Sequence, residues 1–130
     1  QTPKPSETKV RGSIQSLSET PVRNTVHRDD NGQPITKQQF LEPFYIPNVA
    51  GYSVATLLAG QRVDSHQHET MHEMFYIMEG TGIFTIDGKE TPVQPGTFIH
   101  VAPHEIHSIV VPLESSAKRM QMLVTGVVVE

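Results

Sequence analysis

The 130-residue chain contains no cysteine. That absence removes disulfide scaffolds, thiolate zinc sites and cysteine nucleophiles, and leaves imidazole and carboxylate as the groups able to hold a metal. There is no block of Lys or Arg, and the formal charge of −4 is spread over mixed signs. Nucleic-acid and anionic-membrane surfaces need clustered positive charge, so neither partner is expected. No apolar run is long enough to span a bilayer, and residues 1–20 hold no hydrophobic stretch that could serve as an export signal. A soluble protein with a small-molecule partner is the expectation. Apolar residues are also scarce, 36% of the whole, and the shortfall is concentrated in roughly the first forty positions. The chain begins at Gln1 and not at Met. Two origins fit that start: signal cleavage in an exported, periplasmic protein, for which the lack of Cys is compatible, or trimming of the expressed segment.

What is present suits one domain of ordinary size. Residues 1–20, with Pro3, Pro5, Gly12 and many Ser, Thr and charged side chains, have neither helical nor strand periodicity. They predict a flexible N-terminal arm whose burial could not offset its ordering cost. Residues 21–130 are assigned to one β-barrel domain. Its first stretch carries the turn Asp29-Asp30-Asn31-Gly32 and the punctuating Pro34, Pro43 and Pro47, with room for one short helix near Thr36 to Leu41. From Gly51 onward short β-rich runs follow one another, at 52–59, 61–66, 73–79, 82–86, 97–101, 106–111 and 119–129. Asp87-Gly88 supplies the two positive-φ residues of a tight hairpin between Ile83–Ile86 and Glu90–Val93. Many short strands without a long helix predict an all-β sandwich or closed barrel.

The chemistry gathers in the histidines. His66 and His68, separated by one residue on a strand, project from the same face because strand side chains alternate with period two. Glu73 follows the turn Glu69 to Met71, where the chain can fold back toward the same point. His107 would supply a fourth ligand from a more distant strand. Three neutral imidazoles and one carboxylate suit a first-row divalent ion such as Fe, Mn, Ni, Co, Cu or Zn. Taken alone, His66, His68 and Glu73 could be a polar strand and turn on a barrel rim, and His107 a hydrogen-bonded core histidine.

The wider spacing bears on both readings. Gly60, His66, His68, Glu73 and Gly80 stand at the intervals Gly, five residues, His-x-His, four residues, Glu, six residues, Gly. This resembles the first motif of the cupin superfamily. Gly96, Val101, Pro103 and His107 resemble its second motif, with Thr97 where Asp is usual, Ala102 for the first Pro, His104 for Gly and Val111 for Asn. The likeness covers about Val54 to Val111. It implies a cupin-type double-stranded β-helix, or jelly-roll barrel, with the metal on His66, His68, Glu73 and His107. It also implies a homodimer paired through sheets, to which the β-prone Val22 to His27 could contribute.

Two classes of function follow. The favoured one is an oxygenase, of dioxygenase type, acting on a small substrate that ligates the metal through oxygen. In it Glu73 is both ligand and proton acceptor, and His104 is the alternative base. The other is a non-catalytic binder of metal or small molecule, such as a periplasmic metal binder or sensor. A decarboxylase or isomerase is a further variant of the enzyme class. Some lyases of the superfamily carry a Tyr base two residues after the Glu; Phe75 stands there and weighs against that chemistry. Counting from Glu73, Phe75 and Ile77 face the cavity and Met74, Tyr76 and Met78 the other side. His72 is expected at the surface or mouth, and His27 and His100 are read as structural or solvated.

Overall fold

The computed structural model describes residues 11–114 and 118–129. Their alternating patterns fold into ten strands: β1 (Val22–Arg28), β2 (Pro34–Leu41), β3 (Val49–Leu58), β4 (Arg62–His66), β5 (Met71–Glu79), β6 (Gly82–Ile86), β7 (Lys89–Val93), β8 (Phe98–Val101), β9 (His107–Val110) and β10 (Arg119–Val128). A 3₁₀ turn, Leu17–Glu19, precedes them. A six-stranded sheet runs β1-β2-β3-β10-β5-β8 and a four-stranded sheet runs β4-β9-β6-β7. Every pairing is antiparallel. The two sheets form the all-β jelly-roll barrel that the sequence predicts, as one domain. Among the described residues no helix is long and apolar enough to cross a membrane.

The core forms where the inner faces meet. Ile35, Leu57, Phe75, Ile77, Met120 and Met122 from the large sheet pack against Val63, Phe84 and Ile109 from the small one. Phe75 and Phe84 meet edge to face, 5.0 Å between ring centroids. The parity count along β5 holds: Phe75 and Ile77 are buried, while Tyr76 and Met78 are exposed on the outer face. At the β6–β7 hairpin Asp87 (φ 48°) and Gly88 (φ 83°) carry the two positive φ values that a tight antiparallel turn requires. The turn is tied down by Asp87, whose amide donates to the Ile106 carbonyl and whose Oδ1 accepts from the Ile106 amide.

One expectation is corrected. The segment Thr36 to Leu41 is not a helix but most of β2. Its backbone groups pair on both sides, with β1 (Gln38 opposite Val22) and with β3 (Thr36 opposite Thr56, Gln39 opposite Ser53). Ile35, Lys37 and Gln39 face inward at strand spacing. Pairing with distant residues overrides a weak local preference. Strands β1 and β2 therefore extend the large sheet beyond the runs that begin at Gly51. Of the arm expected over residues 1–20, residues 1–10 lie outside the described residues. Within residues 11–20 three positions are tied to β2: Gln38 Nε2 donates to the carbonyls of Leu17 and Thr20, and Gln15 Nε2 donates to that of Phe40.

Candidate metal centre

The register of three strands places the acidic and imidazole groups together. His66 closes β4 and lies directly opposite His107, the first residue of β9. Glu73 is the third residue of β5 and comes from the opposing sheet, between Gly126 of β10 and Val101 of β8. His68 lies two residues past the end of β4, not on the strand itself, and its loop is pinned by the His104 amide donating to the His68 carbonyl at 2.7 Å. Ligand atoms of His66, His68, Glu73 and His107 all lie within 4.8 Å of one another. The predicted quartet is thus assembled, and it bridges both sheets.

Hydrogen bonds at the rear of two rings orient them. His66 Nδ1 donates to the Asp64 carbonyl at 2.8 Å and His107 Nδ1 to the Glu105 carbonyl at 3.0 Å, so each turns Nε2 toward the cluster. Backbone carbonyls in that position hold a histidine in the tautomer a metal needs. Glu73 Oε1 sits 3.2 Å from His107 Nε2 and 3.3 Å from His68 Nε2. His68 Nε2 is buried and has no hydrogen-bond partner among the described residues. A buried nitrogen lone pair beside a carboxylate oxygen is costly unless a cation lies between them. The donor set therefore fits a divalent ion of the borderline class.

Protonation follows the same logic. Burial opposes ionisation of Glu73, yet the hydrogen bond from His107 and the neighbouring imidazoles hold its carboxyl below the usual range. Burial likewise opposes the charged form of His107, but its hydrogen bond to Glu73 and the Glu105 carbonyl raise it above the ordinary value. His66 is lowered, chiefly by burial and then by the other imidazoles, against the pull of the Asp64 carbonyl. Without a metal, the Glu73–His107 pair shares the proton that an ion would displace.

The cluster opens into a cavity of about 320 Å³ between the sheets, bordered by His66 and Glu73 and walled by Phe75, Ile109 and Met122. His27, read from sequence as structural or solvated, lines this cavity, with its ring centroid 5.3 Å from that of His66. Its pKa is lowered, mainly by burial and then by the His66 charge. An irregularity in the β1–β2 pairing between Asn24 and Arg28 accompanies this placement, and no local motif announces it. His104 stays outside: it is exposed, at φ 71° in the left-handed region where the motif has Gly, and lines neither the cluster nor the cavity. His72 and His100 hydrogen-bond each other, Nδ1 to Nε2 at 2.8 Å with stacked rings, away from the quartet.

The cupin domain family matches residues 53–125, more than half of the chain, and takes in all four cluster residues. The chain is a cupin. It is 41% identical over 49 residues to quercetin 2,3-dioxygenase of Bacillus subtilis, which covers 38% of this chain and 14% of that one. It is 38% identical over 50 residues to the oxalate-binding protein of Thermotoga maritima, covering 38% of this chain and 41% of that one. The chain thus spans less than half the length of these curated relatives. Among solved structures, a predicted oxalate decarboxylase from Thermotoga maritima superposes with a TM-score of 0.78 at 21% identity, over 90% of this cupin and 100% of that chain. At that identity the likeness establishes the fold.

Metal should couple directly to stability, because the quartet joins two sheets in the native state and is dispersed in the unfolded one. Chelator-treated protein given a divalent ion at a hundredfold excess over its Kd should gain about 2.7 kcal/mol. That corresponds to a rise in Tm of roughly 10 °C for a chain of this size. The check is a thermal melt with and without ion; the double variant His66→Ala/His107→Ala should show no shift.

Proposed function

We propose that this cupin is a metal-dependent enzyme of oxygenase type. In this reading His66, His68, Glu73 and His107 hold one divalent transition ion, and the adjoining cavity admits a small organic substrate that ligates through oxygen. The observation carrying it is the quartet, with His107 buried and His68 Nε2 buried and unpartnered, opening onto the cavity. A redox-active ion held by these residues would supply activation of substrate and O₂. The chain's own contributions are distinct from that. The carbonyls of Asp64 and Glu105 fix two rings, while Phe75 and Ile109 keep that part of the cavity apolar and limit water. Glu73 is placed to accept a substrate proton, since its carboxyl is ionised and borders the cavity. His104, set on the exposed loop, is the weaker candidate for base.

A binding role without turnover is the competing reading, favoured by one observation. Among the described residues lining the cavity, Glu73 is the one carboxylate, and it is engaged in the cluster. The discriminating assay is O₂ consumption by protein of known metal content against catechols, flavonols, β-diketones and thiols. Uptake with one of these classes, lost in His107→Ala, is the expected result. Stoichiometric metal with no uptake from any class would overturn the oxygenase reading in favour of the binding module.

The homodimer expected from the sequence is proposed to use the outer face of the large sheet. Tyr76 is 45% exposed and Phe98 61% exposed on adjoining strands there, opposite one another in register. Apolar surface of this kind is what isologous sheet pairing would cover. Sedimentation equilibrium should return twice the chain mass, and Phe98→Glu should shift it toward the monomer. A concentration-independent monomer mass for the unaltered protein would refute the pairing.

A further inference from the structure

The cavity is also lined by a lysine, and it comes from outside the family-matching segment. Lys37 lies on β2, before the matched residues 53–125. Ile35 and Gln39, which share its face, are 2% and 8% exposed, and its partner across β3 is the buried Ala55. Lys37 therefore faces the barrel interior and lines the same cavity as His66 and Glu73. Among the described residues its ammonium has no acidic partner: the Arg and Lys ion pairs there use Arg23, Arg62 and Arg119. Arg23, its neighbour across β1, is occupied by Glu42.

Charge within the cavity is consequently unbalanced. With a divalent ion on the quartet, Glu73 cancels one of two positive charges, and Lys37 adds another, leaving a net of two. A partly enclosed, low-dielectric cavity makes that imbalance costly until an anion enters. Asn24, Gln39 and Ser53 line the same cavity and can hydrogen-bond an oxyanion. The volume of about 320 Å³ lies at the lower end of ligand clefts.

We infer that the cavity selects a small organic dianion, one oxyanion end meeting the metal held by the quartet and the other meeting the Lys37 ammonium. This rests on the metal-site reading above and adds the substrate class to it. Strands β1 and β2 supply the specificity, and the motif-bearing strands supply the ion.

The test compares malonate, succinate and glutarate with their monoamides, which keep one carboxylate for the metal and neutralise the other end. Isothermal titration calorimetry is run on the unaltered protein, on Lys37→Met and on Lys37→Arg, with metal content and Tm measured for each. For at least one chain length the diacid should bind about tenfold or more tighter than its monoamide, the scale of one charge-assisted hydrogen bond. Lys37→Met should bring that ratio close to one while leaving metal content and Tm unchanged, and Lys37→Arg should keep most of it. A ratio near one in the unaltered protein at every chain length, or a ratio that survives Lys37→Met, would overturn the inference. Should the protein prove to hold no metal, the metal-site reading fails on that measurement alone. This inference then falls with it, whereas a ratio near one in protein that carries about one ion per chain overturns this inference and leaves the metal-site reading standing.

Discussion

Glu73 Oε1 lies between two imidazole nitrogens, 3.3 Å from His68 Nε2 and 3.2 Å from His107 Nε2, and the site follows from that arrangement. His66 and His107 have already spent Nδ1 on backbone carbonyls, so the groups turned inward are acceptors facing acceptors. Such a set is stable inside a protein only around a cation, either a proton shared by Glu73 and His107 or a metal ion. Because Glu73 belongs to one sheet and His66 and His107 to the other, a bound ion would join the two sheets. Structure and chemistry are coupled at a single point.

Around that point the molecule divides its work. Within the family-matching segment β4, β5 and β9 carry His66, Glu73 and His107, and the loop after β4 carries His68. The hairpin of β1 and β2 lies outside the segment, lengthens the large sheet and closes part of the cavity with His27 and Lys37. A conserved fold hosts varied functions when the chemistry sits on one set of strands and recognition on another. The B. subtilis dioxygenase and the T. maritima oxalate-binding protein match this chain over short stretches. What distinguishes this chain is therefore to be sought in residues such as Lys37.

Local pattern made much of the barrel legible. Period-two alternation located β5 and assigned Phe75 and Ile77 to the interior, and Asp87-Gly88 marked its hairpin because few residue pairs accept two positive φ values. The quartet was readable because the spacing of Gly60, His66, His68, Glu73 and Gly80 resembles the first cupin motif, with His107 added by the looser likeness to the second. The rest depended on contacts between distant parts of the chain. Gln38 and Gln39 carry no strong strand preference, and β2 exists because β1 and β3 bond to both its edges. His27 and Lys37 reach the cavity only through that pairing. His104 takes a left-handed backbone where the motif has Gly, and its amide holds the His68 loop, a contact that the residue type does not announce.

Metal content per chain tests the central claim most directly. Protein purified without added metals and analysed by inductively coupled plasma mass spectrometry should carry about one transition ion per chain, and His66→Ala/His107→Ala about none. An unaltered protein free of metal after incubation with each candidate ion, or a double variant with the same content, would contradict a metal centre at His66, His68, Glu73 and His107.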